Sequence, residues 1–555
     1  MELTIFGAGR TVTGSSFLLE HDGFSVLIDL GLPQGSDEKK MGEDLPFSPA
    51  AVNAVVLTHA HIDHSGRLPL LAKEGYTGPI YATGATMSLA SIMLEDSAHI
   101  QESEAEWKTR KRERHGEKPV EPLYTTDDAR KALMLFEPVE YGERVTLSPS
   151  IWFEMIDAGH LLGSASVRFH LAVDGGEKMI VFSGDIGNID QPMIRNPQYF
   201  TAADFVVMES TYGDRLHAEP KQNENETLMQ RAKELAAITE RTFKRGGNLI
   251  IPSFAVGRTQ EILYLFRIMM DRHLIPFDVP VFVDSPMSVK ATRVFSSCLR
   301  DDYFDDEARK MIKRGVNPIL FPSLVTITDV EDSKALNSRK ESAVIISSSG
   351  MCDAGRIRHH LKHNLWRAES TVLFVGYQAE GTLGRSLVDG TDHVTLFGEQ
   401  IQVNAEIAVL EGTSGHADQK GLEKWINEFK MKPEAVFVVH GEENVSQYFA
   451  SVLKNSFGHH AYAPMLFEHF DLLNDTIPIQ CDTLLKEKVS SDLSDSVHTL
   501  AVMEDRLEDV IKRMKHSAAT MNLTNEKKAK KLSDAIKRLA SDVEFLVSKW
   551  DGDAK

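Results

Sequence analysis

The 555-residue sequence predicts a multidomain α/β protein in three parts: layered α and β elements, then a unit of alternating strands and helices, then a pair of charged helices. Length is the first reason, since one hydrophobic core rarely serves more than about 250–300 residues and domains average roughly 150. Composition is the second. With 42% hydrophobic and 26% charged residues, the chain has the balance of a globular protein, which excludes disordered and fibrous classes. The third is a hydrophobic pattern that switches between strand-like and helix-like periods along the chain.

In order, the first 60 residues read as short strands separated by turns, at 3–6, 15–19, 25–29 and 54–58. Helical spacing follows at 66–73 and 85–100. Strands followed by helices point to layered elements rather than a strict βαβ repeat. Residues 100–122 are polar and charge-dense around 108–115, a solvated helix and loop or, alternatively, a basic lip for a polyanion. Strands return at 151–157, 166–171, 179–183 and 205–208. Helix 223–244, strand 248–252, helix 259–271 and strand 281–284 then alternate as a doubly wound unit would, continuing through 344–347 and 371–376. Beyond Pro478, apolar residues recur at alternating steps of four and three from Leu493 to Met514 and from Leu532 to Trp550, interrupted by Glu504. That spacing predicts a helical hairpin or a dimerisation element without chemistry of its own.

The N-terminal residues lack the basic and apolar regions of a signal peptide, and no apolar run approaches the roughly 20 residues that span a bilayer, so a cytoplasmic protein without membrane partners is expected. Three cysteines, Cys298, Cys352 and Cys481, are too few and scattered for a disulfide framework or a Cys-based zinc site. A formal charge of −20 argues against broad adhesion to nucleic acid, which relies on clustered Lys and Arg, but leaves room for a local basic groove.

Chemistry concentrates after strand 54–58, in His59-Ala60-His61-Ile62-Asp63-His64. Four ionisable side chains on one tight loop would repel or demand desolvation unless a cation compensates them. Imidazoles and carboxylates are what zinc takes, and the spacing lets His59 and His61 face one ion while Asp63 and His64 face another. A two-metal cage needs further ligands. His160, in Ala158-Gly159-His160, and Asp185, in Ser183-Gly184-Asp185, stand at strand ends beside glycines that let the backbone crowd a metal; each is undecided alone. The glycines of Gly7-Ala8-Gly9-Arg10-Thr11-Val12-Thr13-Gly14 are misplaced for a dinucleotide fingerprint, and a tight turn is the better reading.

With these motifs in hand, residues 1 to about 470 resemble the metallo-β-lactamase fold, specifically its β-CASP nucleic-acid-processing branch. The matching motifs are Asp29 in Ile28-Asp29-Leu30-Gly31, the 59–64 cluster, His160, Asp185, Glu209 in Met208-Glu209-Ser210-Thr211-Tyr212-Gly213, His416 in Ser414-Gly415-His416-Ala417-Asp418, and His440 in Val439-His440-Gly441-Glu442. Without the family, Glu209, His416 and His440 would pass as satisfied surface or core residues.

The resemblance implies an αββα sandwich from residues 1–209 and 391–470, an inserted β-CASP α/β domain over 210–390, and a helical extension over 485–555. It also implies roles. His59, His61 and His160 would hold one zinc, Asp63, His64 and His440 the other, with Asp185 bridging and Asp29 in support. A shared carboxylate holds two cations about 4 Å apart, where the hydroxide they generate is a nucleophile near neutral pH. Glu209 would bond His416 and keep it protonated, able to steady the scissile phosphate or protonate the leaving oxygen. A His at 440 resembles the RNA-processing rather than the DNA-processing members.

Within the inserted domain, the turn Ser347-Ser348-Ser349-Gly350 precedes a helical segment, so its N–H groups could receive a phosphate with help from Arg356; a plain strand-to-helix turn accounts for it equally well. The same holds for 253–258. The leading expectation is a dizinc ribonuclease cutting internally by a metal-bound hydroxide and leaving 5′-phosphate and 3′-hydroxyl ends. Segment 376–385 resembles the branch containing the nuclease subunit of the pre-mRNA 3′-end cleavage complex, and lacks the Gly-Glu-Pro continuation of the ribonuclease J branch. The alternatives are a 5′-to-3′ exoribonuclease of this family, a hydrolase of small esters or thioesters, and a catalytically dead scaffold, against which stands the intact ligand set. A homodimer, through the inserted domain or the C-terminal helices, completes the expectations.

Overall fold

Alternation along each strand sends one set of side chains to a shared interior and the other to covering helices, and this divides the molecule into layers. The computed structural model describes residues 1–113, 118–217, 224–299, 303–379, 381–410, 414–474 and 479–480. The helices expected at 493–514 and 532–550, and Cys481, lie outside the described residues.

Two sheets form the first unit. One has eight strands, running in space from Ile479–Gln480 and Glu468–Asp471 through Glu2–Ile5, Phe17–His21, Phe24–Ile28, Ala54–Val56 and Ile80–Ala82 to Phe136–Pro138. The other has seven, from Ala461–Tyr462 and Ala435–Val439 through Phe205–Glu209, Gly176–Phe182, Ala165–Val173 and Ile151–Asp157 to Val145–Ser148. Leu3, Ile5, Val26, Ile28 and Val56 of the first sheet pack against Phe153, Phe169, Phe182, Val207 and Phe437 of the second. The opposite faces are covered by helices. Leu27 and Val55 share a core with Leu68, Leu71, Leu89 and Ala129, while Val181, Val206 and Val438 share another with Leu422, Trp425 and Phe449. The result is an αββα sandwich.

The inserted unit is a six-stranded parallel sheet in the order Leu324–Ile327, Val281–Asp284, Val344–Ser347, Leu249–Pro252, Thr371–Phe374, Glu406–Val409. Its last strand lies past residue 390, and the hairpin His393–Leu396 with Glu399–Gln402 precedes it. Leu249 and Ile251 point to one helical layer and Ile250 to the other, which is why these strands read as continuous apolar runs.

The helix expected at 85–100 runs on as Gly84–Glu113, into the charge-dense segment. Its polar end keeps helical form through strong helix formers and the pairs Lys108 with Glu104 at 3.4 Å and Arg110 with Glu106 at 3.2 Å. Among the described residues, no helix is long and apolar enough to cross a membrane.

Candidate metal centre

Each candidate ligand stands where a strand of the sandwich runs out: Asp29 after Phe24–Ile28, residues 59–64 after Ala54–Val56, His160 after Ile151–Asp157, Asp185 after Gly176–Phe182, and His440 after Ala435–Val439. The turns at these ends are specialised. Asp29 and His440 hold φ of 57° and 48°, a left-handed conformation that non-glycine residues seldom adopt and that concentrates at functional sites. Gly184, at φ 57°, could not carry a side chain, because a Cβ would stand 2.8 Å from the Ala165 carbonyl; its turn delivers Asp185.

His59 Nε2, His61 Nδ1 and His160 Nε2 converge, with His61 Nδ1 3.1 Å from each of the others. Asp185 Oδ2 completes the group at 3.3 Å from His59 Nε2 and 3.5 Å from His160 Nε2. A tetrahedral zinc with bonds of about 2.0–2.1 Å sets its ligand atoms about 3.3 Å apart, so this spacing fits a cation. The other oxygen, Asp185 Oδ1, faces a second group, 3.1 Å from His64 Nε2 and 3.5 Å from His440 Nε2, which in turn lies 3.6 Å from Asp63 Oδ2. Asp185 Oδ1 and His440 Nε2 are buried yet have no hydrogen-bond partner, a rare condition that a metal would relieve.

The surrounding bonds aim these ligands. Asp29 accepts from the Thr58 N–H at 2.7 Å, the Thr58 hydroxyl at 2.8 Å and His64 Nδ1 at 2.7 Å, leaving His64 Nε2 free to face the cluster. His160 Nδ1 donates to the Gly415 carbonyl at 3.1 Å, and His440 Nδ1 pairs with the Thr211 hydroxyl at 3.0 Å. Thr58, Thr211 and Gly415 were not foreseen from sequence; their one local signal is adjacency to the motifs they serve.

Electrostatics differ between the two halves. Burial, reinforced by His59, pushes His61 down to about 3, and burial with His416 drives His160 well below its ordinary value. Both are therefore neutral, the form in which imidazole binds metal. Burial opposes charge on His64 too, but the Asp185 and Asp29 carboxylates prevail and raise it well above the ordinary value; His440 is likewise raised against burial by Asp185 and Asp63. Asp185 is held well below the carboxylate range, its burial overcome by His440, His64 and His59, and Asp63 is lowered against burial by the neighbouring His440 and His64 imidazoles.

Beside this cluster, His416 Nδ1 donates to Glu209 at 3.1 Å, and its Nε2 lies 3.9 Å from Asp185 Oδ2. Glu209 is buried and also accepts the N–H groups of Ile186 at 2.6 Å and Thr211 at 3.2 Å. Burial disfavours an imidazolium here, yet the Glu209 carboxylate outweighs it and raises His416 to about 9.

In the inserted unit, the side chains of the turn expected to receive a phosphate or to serve as a plain strand-to-helix turn are held within the fold. Arg356 donates to Asp284 at 2.7 Å and to the Thr328 and Asp329 carbonyls, the Ser347 hydroxyl donates to the Asp284 carbonyl at 2.8 Å, and the Ser348 hydroxyl pairs with Ser285 at 2.9 Å. These side chains brace the sheet. Gly350 is pressed against Phe254, while the Ser349 hydroxyl is buried without a partner.

Comparisons with known proteins agree along the chain. The metallo-beta-lactamase superfamily matches residues 9–236, the Beta-Casp domain 259–387, and the Zn-dependent metallo-hydrolase RNA specificity domain 400–464. A ribonuclease of Thermus thermophilus is 38% identical over 443 residues, covering 80% of this chain and 94% of that protein. Transcription termination factors FttA of Methanocaldococcus jannaschii and Methanosarcina mazei are 31% and 32% identical, covering 84% and 81% of this chain and 70% and 68% of theirs.

Proposed function

Since the chain belongs to the β-CASP ribonuclease branch of the metallo-β-lactamase superfamily and is a metallo-hydrolase, we propose that it cuts RNA internally with two zinc ions, leaving 5′-phosphate and 3′-hydroxyl ends. The relatives named as a ribonuclease and as transcription termination factors support RNA as substrate, and the resemblance of segment 376–385 supports endonucleolytic action. The observation that carries the reading is the Glu209–His416 pair set against Asp185, which a hydrolase of small esters does not require.

In this reading His59, His61, His160 and Asp185 would hold one zinc, and Asp63, His64, His440 and Asp185 the other. Zinc bound there would supply Lewis acidity toward a water and the scissile phosphate. The chain's own residues do the rest. Asp29 fixes the tautomer of His64, and Glu209 fixes that of His416, placing the titratable proton on Nε2 toward the reacting phosphate. As water adds its oxygen to phosphorus and the bond to O3′ breaks, the leaving oxygen takes that proton. Oxygen from water thus stays on the downstream fragment, as part of its 5′-phosphate, and the upstream fragment leaves with a 3′-hydroxyl.

The test uses the zinc-loaded full chain with RNAs labelled separately at each end, beside a His416→Ala variant. Internal fragments bearing 5′-phosphates are expected, with cutting reduced on the order of 10²-fold or more in the variant. Mononucleotides alone would favour a 5′-exonuclease, and ready thioester hydrolysis without any RNA cleavage would overturn the proposal.

A further inference from the structure

A chain of net charge −20 has little to spend on gripping phosphates, because that grip depends on cations releasing counterions. Two guanidinium groups beside the centre are also engaged by acids: Arg258 with Glu261, and Arg215 with Asp214 at 3.0 Å. Affinity for a strand of RNA needs another source, and two aromatic side chains of the inserted sheet supply one.

Phe254 follows strand Leu249–Pro252, and Tyr377 follows strand Thr371–Phe374, so both stand at the carboxyl ends of adjacent parallel strands, where open α/β sheets bind ligands. They meet at one turn. A Cβ on Gly350 would come within 3.2 Å of the Phe254 ring, and the Gln378 amide, next to Tyr377, donates to the Gly350 carbonyl at 3.2 Å. Both residues remain 48% exposed. Tyr377 lies 6.5 Å from the Tyr212 ring, which lies 5.8 Å from His416, and the Arg215 guanidinium covers Tyr212 at 5.2 Å and Tyr377 at 5.6 Å. Phe254 and the candidate ligand His61 share the wall of a cavity of about 1000 Å³.

We propose that Tyr377 and Phe254 are base-stacking platforms that hold the nucleotides flanking the cleaved phosphodiester, and that they, rather than phosphate contacts, carry most of the site's grip on single-stranded RNA. Arg215 takes one face of Tyr377, and the exposed face receives a base. Every base has a π-face, so the arrangement favours unpaired strands without demanding a sequence, and bases locked inside a duplex are refused. The inference rests on the ribonuclease reading.

The experiment measures kcat and KM of the zinc-loaded full chain on an unstructured RNA carrying 2-aminopurine next to the cleaved bond, whose fluorescence is quenched on stacking. Tyr377→Leu and Phe254→Leu keep apolar bulk and lose the ring; Tyr377→Phe keeps the ring. Each Leu variant is expected to raise KM on the order of tenfold, with kcat changed much less and the quench relieved. Tyr377→Phe keeps the quench, and raising the salt concentration weakens binding only slightly. Leu variants with wild-type KM and undiminished quenching would overturn the inference while leaving the ribonuclease reading intact. A wild-type chain that binds and quenches this RNA but never cuts it would sink the ribonuclease reading and keep the stacking site; one that neither binds nor cuts sinks both.

Discussion

Glu209, hidden from solvent, accepts two backbone N–H groups and one imidazole, and the imidazole is the partner that titrates. With His416 raised to about 9, its proton is present throughout neutral pH and is lost only as pH climbs through that value. We therefore expect kcat to fall above about pH 9. In Glu209→Gln the counter-charge is gone and burial prevails, so the falling limb moves toward neutral pH; a pH–rate profile with an unmoved limb would refute the assignment. Asp29 acts one bond further out, and Asp29→Ala is expected to weaken zinc affinity about 10–100-fold, as read by competition with a chelator. At this scale the sequence was legible where side chains crowd together. Residues 59–64 announce a cation by density alone, whereas Glu209 and His416 are separated by 207 positions and neither carries a local signal. Only resemblance pairs them.

Between neighbouring strands and helices, the Asp284 carboxylate ties the inserted sheet together, bonded to His360 Nε2 at 2.7 Å, Arg356 at 2.7 Å and the Ser333 hydroxyl at 2.5 Å. Burial works against its charge, but these bonds win and hold it below the usual carboxylate range. A depressed carboxylate contributes stability above its unfolded value of about 3.9, and that contribution disappears as pH falls through the lower folded value. Asp284→Asn should therefore lower the melting temperature at neutral pH, with a cost of about 3–5 kcal/mol for a broken buried pair, and the gap from wild type should narrow in strong acid. A constant gap from pH 7 to pH 2 would contradict this. The same network holds the turn at 347–350, which in sequence reads equally as a phosphate-receiving turn or a plain strand-to-helix turn. The Ser347 hydroxyl bonds the carbonyl of Asp284, at the end of strand Val281–Asp284, and the Ser348 hydroxyl bonds Ser285 just after it, partners that no local pattern reveals. Strand and helix periodicities, being local, were read far more faithfully.

Across the whole molecule, a hydrophobic core running from Leu89 and Leu94 to Ile262 and Val289 joins the inserted unit to the sandwich, and a short splice adds to it. The Met193 N–H donates to the Asp305 carboxylate at 2.8 Å, the Asp305 N–H returns a bond to the Met193 carbonyl at 2.8 Å, and Ile194 bridges Phe304. Asp305 also caps helix Asp306–Lys313. Asp305→Ala should thus cost about 1–3 kcal/mol, seen as a lower melting temperature, and should open the inserted unit to proteases. A sequence shows that such an insertion exists but not where it is pinned. Long-range pairing has a further outcome in time. Strand Glu2–Ile5 lies between Phe17–His21 and Glu468–Asp471, and the proposed cage needs His440 as well as Asp185. A ribosome adding roughly 5–20 residues per second spends on the order of tens of seconds between those two ligands. Until His440 has emerged, the chain lacks a ligand of the second proposed site and the neighbour for one edge of strand Glu2–Ile5, so that site cannot close during the interval.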